Sequence, residues 1–587
     1  MIHLLIEARL RTAINARIPE ALPSAAALRP CPDPQFGDYQ NTAMMSLAKE
    51  RKMNPRQLAT EVVAGLDVST WCEPAEIAGP GFLNFRLKPE AVAAALRAPL
   101  SGEPLFYTQA AQSRSVVIDF SSPNVAKPMH IGHIRSTALG DCLARVMRLL
   151  GHRVVTDNHI GDWGTQFGLL TLGWKTQLNT KALAEDPMRE LERLYKSVNA
   201  ASEADPSIRE AAKQELVKLQ SGDPENLAIW KKMIELSQVQ FECIYGRLGV
   251  SFDYTLGESF YNSRLKNVVQ ELRDRGIAQE SQGAIAVFTD GSTPPKEDPF
   301  LVQRDEEWIP NPLLIQKADG ASNYATTDLA TLAYRWETWQ PDEVIYVTDG
   351  RQQLHFRQLF AIWKRWQPER AERIKLAHVW FGSILGEDGK PIKTRSGETV
   401  PLFEVLDEAE ERAFKVVSEK NPELPESDRR EISKRVGIGA VKYSDLSPNR
   451  QSDYIFNWEK MLSLQGNTAP YLQYAHARIQ SIFRKSGEVR QFTTEPVVLR
   501  HADELSLAKQ LLRFGITLEA VAAEYRPNYL CLYLHELAGL FARFYESCPV
   551  LKADPADRPG RLLLCEMTGR VLKKGLEVLG IEAPDQM

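Results

Sequence analysis

The sequence predicts a multidomain protein built around a doubly wound α/β core with a helical insertion. A small α+β domain precedes the core and an all-α domain follows it. Three observations lead there. From about residue 111 to residue 455, short apolar runs alternate with helix-periodic segments, the pattern of a mainly parallel sheet covered by helices. Residues 163–250 break that alternation with helical periodicity alone, over a stretch too long for one βα crossover. At 587 residues the chain exceeds what one hydrophobic core supports.

Composition narrows the class. With 43% hydrophobic and 25% charged residues, the chain reads as soluble and globular. No apolar run reaches membrane-spanning length, so no membrane partner is expected. The opening MIHLLIEARLRTAINARI spaces its charges and lacks the apolar core of a signal peptide. Seven cysteines lie scattered from Cys31 to Cys565 without a CxxC, so neither zinc nor a disulfide framework is expected. A reducing, cytoplasmic setting fits. A net charge of −5 excludes a protein that coats nucleic acid nonspecifically, and DNA is not expected as a partner. Local patches still permit selective RNA binding.

Residues 1–110 form the α+β domain in this reading. Ile2–Arg17 is helix-periodic, and Asn54-Pro55 opens a second helix, running to about Leu66, with a cap and a first-turn proline. Ile77–Leu87, IAGPGFLNFRL, reads as two short strands around Gly79-Pro80-Gly81.

In residues 111–455 the central feature is Ser121–Thr137, SSPNVAKPMHIGHIRST. It follows a buried parallel strand, SVVIDF at Ser115–Phe120, and leads into a helix over Ile134–Leu150. Strand, polar turn and helix is the arrangement that holds ligands at strand C-termini. Pro128 is expected in the first helical turn, with His130 and His133 on one face of it and Gly132 admitting a flat group between them. A helix N-terminus with two imidazoles and Lys127 is suited to polyphosphate. Asp119 ends the preceding strand, an odd place for a charge unless it faces a ligand, and Asn124 lies in the turn. Arg153–Asn158 is a further strand, followed by the glycine-rich HIGDWGTQFG. Residues 284–330 return to strand character, including Ile285–Thr289. Within them Tyr324 and Asp328 are four apart and share a helical face. Val344–Val347 is another buried strand, Gln352 opens the loop after it, and His355–Trp366 is an amphipathic helix. Gly386–Val400, GEDGKPIKTRSGETV, is glycine-rich, basic and non-periodic, a loop by composition.

Residues 456–587 read as helical, with one long helix over Leu505–Tyr525. From Trp458 to Met587 there are 16 Lys+Arg against 15 Asp+Glu, net +1, so base recognition there would fall to aromatic stacking. Tyr471 and Tyr474 are candidates, for stacking or for helix packing.

The pattern SxPNxAKxxHxGHxRST resembles the HIGH turn of class I aminoacyl-tRNA synthetases in its arginyl form. FGDYQ at Phe36–Gln40 and AGPGFLNF at Ala78–Phe85 are similar to that family's N-terminal domain. The loop at Gly386–Val400 stands where the family carries KMSKS, with Pro391, Ile392, Lys393, Thr394 and Arg395 on the five positions and threonine replacing the second lysine. The resemblance implies a Rossmann-like catalytic core over 111–455, a tRNA D-loop-binding domain over 1–110 and an anticodon-binding domain over 456–587. It implies an arginine–tRNA ligase that makes arginyl-adenylate from ATP and arginine, passes arginine to the terminal 2′-hydroxyl of tRNA(Arg), and needs tRNA bound first. Magnesium would accompany ATP, held mainly by phosphate oxygens and water. Carried over residue by residue, His130, Gly132, His133 and Lys393 meet ATP, and Lys127 and Arg395 join them in catalysis. Asp119, Asn124, His130, Tyr324, Asp328 and Gln352 line the arginine site, while Phe82, Asn84, Tyr471 and Tyr474 meet tRNA. A monomer is expected. Two other readings stand beside this one: a small-metabolite nucleotidyltransferase, which needs no RNA-sized extra domains, and a non-catalytic RNA-binding relative, which intact His130, Gly132 and His133 oppose.

Overall fold

The computed structural model describes residues 1–392, 399–486, 492 and 497–587. It divides into two compact units, one of residues 111–416 and 437–461, the other of residues 1–110, 417–436 and 462–587.

The first unit is organised by a parallel sheet of β1 (Ser115–Asp119), β2 (Arg153–Asp157), β3 (Glu343–Tyr346) and β4 (Lys375–His378). Their order is β4-β3-β1-β2. All five residues of β1 are buried, which explains its unbroken apolar run. The chain steps from β1 to β2 on one side and later to β3 on the other, so the strand order reverses between β1 and β3, where such sheets open a ligand crevice. Helix α1 (His133–Leu149) joins β1 to β2. It packs so closely that a Cβ on Gly140 would come within 2.1 Å of the Phe120 ring.

The insertion consists of helices that include α2 (Gln166–Gln177), α3 (Pro187–Ala204), α4 (Pro206–Ser221) and α5 (Pro224–Leu248). The last three begin alike: Asp186, Asp205 or Asp223 caps the N-terminus with its carboxylate and proline takes the first turn. The strand character expected for residues 284–330 is present in part. Ala284–Val287 pairs antiparallel with Ala278–Ser281 and Leu313–Gln316 in a three-stranded sheet apart from the parallel one. The final residues of that range already belong to helix α6 (Tyr324–Trp339), which Asn323 caps. Helix α7 (Gln353–Trp366) follows β3 and buries Phe356, Leu359, Ile362, Trp363 and Trp366.

The second unit brings both ends of the chain together. The N-terminal segment has helix Ile2–Asn15 and a four-stranded antiparallel sheet that includes Glu76–Ala78 and Phe82–Phe85, the two strands expected around GPG. Asn54 caps the helix Pro55–Ala64 through Arg56 and Gln57 N–H, as its sequence signals. Lys509 Nζ lies 2.8 Å from Asp38 Oδ2, and Tyr107 meets Phe514 edge-on, so C-terminal helices close over the N-terminal segment. The single helix expected over Leu505–Tyr525 is instead two, Ala502–Leu512 and Phe514–Glu524. The break has a cause: Gly515 N–H donates to the Phe106 carbonyl at 2.9 Å rather than along the helix. A Cβ at Gly515 would lie 2.5 Å from that same oxygen.

Candidate active site

The last register row of the sheet sets His378, Tyr346, Asp119 and Asp157 side by side at the strand C-termini. Arg335 of α6, fully buried, reaches this row. It donates to Asp119 Oδ2 at 2.7 Å and Asp157 Oδ2 at 2.8 Å, and its guanidinium lies 5.3 Å from the Tyr346 ring centroid. Burial raises the Asp157 carboxyl above its usual range; Arg335 opposes this and the Asp119 charge adds to it. The charge on Asp119 is therefore explained first by Arg335, because a buried carboxylate requires a counter-ion. Two carboxylates share this guanidinium.

Beyond β1 the turn is held in a strained path. Ser121, Ser122 and Ala126 have φ of 73°, 49° and 62°, in the left-handed region. Ser121 N–H donates to Ser136 Oγ at 2.8 Å, and Thr137 Oγ1 donates to Ser121 Oγ at 2.9 Å. The insertion helix α5 supports the same turn: Ala126 N–H donates to Ser237 Oγ at 2.9 Å, and Ser121 Oγ meets the Tyr245 hydroxyl at 2.8 Å. Asn124 is exposed and pairs by backbone with Gly161, where a Cβ would come within 2.2 Å of Asn124 Oδ1.

The helix starts at His133, so the expectation that Pro128 lies in its first turn is corrected. Met129–Ile131 is held by backbone pairing instead: Ile131 N–H donates to Val400 O at 2.9 Å and Leu402 N–H to Met129 O at 2.8 Å. His130 is thus outside the helix, yet its ring lies 4.0 Å, centroid to centroid, from that of His133. The His130 N–H donates to His133 Nδ1 at 3.0 Å, and the Gly132 N–H donates to His130 Nδ1 at 3.1 Å. His130 Nδ1 accepts, which assigns its ring proton to Nε2; His133 Nδ1 also lies 3.2 Å from the His130 carbonyl oxygen, to which it donates in its other tautomer. Burial lowers the pKa of His133 to about 3, with His130 adding to the effect. Burial and then the Arg351 charge lower that of His130. At neutral pH both rings are uncharged. A Cβ at Gly132 would lie 2.9 Å from His130 Cε1, which restricts the space beside the ring to glycine. Lys127 Nζ stands 4.9 Å from the Tyr195 ring centroid. Lys393 and Arg395 lie outside the described residues.

Tyr324 and Asp328 occupy the start of α6, Tyr324 55% exposed. Asp328 Oδ2 accepts from His355 Nε2 at 2.6 Å. Glu258, which no sequence signal marked, lies within electrostatic reach of Asp328. Its backbone N–H donates to Ile160 O at 3.1 Å, and Asp162 beside it accepts from Ser259 N–H and Oγ. Burial raises the Glu258 carboxyl to about 7, with Asp328 and Asp162 adding to the rise and His159 opposing it. Gln352 is exposed in the short turn after β3, next to Arg351, which Asp349 grips through Nε and Nη2.

The family described as tRNA synthetases class I (R), catalytic domain, matches residues 96–458. The chain belongs to the arginyl-tRNA synthetases. The arginyl-tRNA synthetase N-terminal domain matches residues 4–87, and the DALR anticodon-binding domain matches residues 472–587. The arginine–tRNA ligase of Chromobacterium violaceum is 44% identical over 589 residues, covering 100% of both chains. That of Hahella chejuensis is also 44% identical, covering 99% of each. The Thermus thermophilus arginyl-tRNA synthetase structure superposes with TM-score 0.83 at 25% identity, covering 100% of both chains. That of Plasmodium falciparum gives 0.81 at 28%, covering 100% of this chain and 99% of the other.

The remaining expected residues of this synthetase belong to the second unit. Phe82 is half-buried beside Gly79. Asn84 is 2% exposed, and its Oδ1 accepts from Gln40 Nε2 at 2.8 Å, so base reading by Asn84 requires Gln40 to give way. Tyr474 is 42% exposed, whereas Tyr471 is half-buried edge-on against His535.

Proposed function

We propose the following division of labour for the arginine–tRNA ligase reaction of this family. The arginine carboxylate attacks the α-phosphate of ATP in line and pyrophosphate leaves. The protein supplies position and charge stabilisation. His130 and His133 are uncharged imidazoles that meet the developing phosphate charge, and Gly132 keeps space for the nucleotide. Magnesium enters as part of the nucleotide substrate. Asp328 and Glu258 take the guanidinium and Tyr324 its flat face. The Asp119–Asp157–Arg335 cluster, with an excess carboxylate, takes the substrate ammonium rather than the guanidinium. Asn124 and Gln352 line the space between. Lys127, with Lys393 and Arg395 as rivals, supplies the cation that Thr394 in the KMSKS-like loop does not.

The observation that carries this reading is the separation of charge. It is supported by the uncharged His130–His133 pair in the turn after β1, and by the Asp328 carboxylate with Glu258 in its electrostatic reach at the start of α6. The second step moves arginine to the tRNA 3′ end, with residues 1–110 meeting the D-loop through Phe82 and Asn84. Residues 456–587 meet the anticodon through Tyr474 and Tyr471. Action as a monomer in the cytoplasm completes the proposal. Pyrophosphate release from ATP plus arginine, with and without tRNA(Arg), tests it: release that needs both arginine and tRNA is expected. Release without arginine would overturn it.

A further inference from the structure

We propose that His355 is a positioning residue that aims the Asp328 carboxylate at the substrate guanidinium, an inference that rests on the reading of Asp328 given above. His355 sits in the first turn of α7, across from Asp328 on α6, and keeps 10% of its side chain exposed against 23% for Asp328. Its Nε2 is 2.6 Å from Asp328 Oδ2. The ring is boxed by Tyr324, 4.9 Å away, and by the edge of Phe356 at 5.2 Å. Phe356 is in turn stacked on His378 at 4.4 Å. His355 Nδ1 is buried and has no hydrogen-bond partner among the described residues.

A carboxylate can only accept, so the proton between the two residues is carried on His355 Nε2. The ring therefore contributes a directional donor to Asp328 Oδ2. His355 fixes the carboxylate plane and leaves Asp328 Oδ1 open. A guanidinium fork requires that fixed plane, because its two parallel N–H bonds must meet both oxygens at once. Without the donor the carboxylate turns about its broad terminal torsion and meets the fork only part of the time.

The test is steady-state aminoacylation by the full chain with tRNA(Arg), comparing His355→Leu, His355→Gln, His355→Asn and Asp328→Asn. His355→Leu should raise the arginine KM by roughly 10- to 100-fold, the scale of one hydrogen bond to a charged group. The KM for ATP and kcat should stay within about twofold of the parent, since nothing made only in the transition state is removed. His355→Gln, which can place an uncharged N–H near the same point, should recover most of the loss, and the shorter Asn should not. That pair decides the matter if the Leu variant fails to fold, and equal arginine KM values for Gln and Asn would then overturn the proposal. An unchanged arginine KM in His355→Leu, with a raised one in Asp328→Asn, overturns the role of His355 alone. An unchanged KM in Asp328→Asn overturns the reading of Asp328 and this inference with it. A loss of kcat with both KM values raised would assign His355 to general structure.

Discussion

Arginine binding should release a proton from Glu258. In the empty site burial holds this carboxyl at about 7, helped by Asp328 and Asp162 and opposed by His159. A guanidinium placed against it favours the charged form and draws the pKa well below 6. The proton released per arginine is then about 0.9 at pH 6, about 0.5 at pH 7 and about 0.1 at pH 8. Each protonated site must lose its proton before the ion pair forms, so arginine affinity should fall about tenfold from pH 8 to pH 6, about 1.4 kcal/mol. The sign for folding is the opposite of the usual carboxylate case. A folded pKa raised from 4.5 to about 7 stabilises fully below 4.5, and that stabilisation is lost as pH rises through 7. The assay is calorimetric titration of arginine at pH 6.5 in two buffers of different ionisation enthalpy. Heats that differ with buffer, and a Glu258→Gln variant whose heats do not, are expected. Buffer-independent heats for the parent chain would sink the argument.

Three further outcomes are expected. Arg335→Met strands Asp119 and Asp157 without their cation and should cost about 3–5 kcal/mol of stability, measured by urea unfolding of the catalytic unit's signal; an unchanged midpoint would remove Arg335 from the cluster's support. Asn84→Ala should weaken tRNA charging by roughly 1–3 kcal/mol while leaving arginine and ATP binding alone, and normal charging refutes the contact. Lys127→Ala should slow single-turnover adenylate formation with tRNA present by roughly 10²–10³. Near-normal rates there, with slow rates in Lys393→Ala, would assign the cation to the loop.

Much of the fold was legible because its signals are local. The three aspartate–proline starts at Asp186, Asp205 and Asp223 declare the insertion helices whatever packs on them. The buried run of β1 and the periodic segment after it likewise need no knowledge of their neighbours. Local signals fail where a distant segment decides. The Phe106 carbonyl, some four hundred residues upstream, splits the helix at Arg513. The pairing of Met129 and Ile131 with Val400 and Leu402 keeps Pro128 outside its helix.

The same distinction explains which parts of the site were hidden. His130, Gly132 and His133 form a compact motif within one turn, as groups proposed to meet one phosphate chain would be. Charge compensation has no such spacing. Asp119 and Asp157 end neighbouring strands, but their cation arrives from position 335, in a helix whose sequence LATLAYRW shows only a lone arginine among apolar residues. Asp328 looks complete in NYATTDLA, yet its oxygen is held by His355 from the next helix and its neighbour Glu258 comes from a turn seventy residues earlier. An unpaired carboxylate in a cleft and a paired one in a core read alike along the chain. What separates them is the partner, and the partner is fixed only when β1, β3 and α6 are assembled. The sequence around Asp119 therefore does not show the guanidinium that pairs with it, nor the sequence around Asp328 the imidazole on its oxygen.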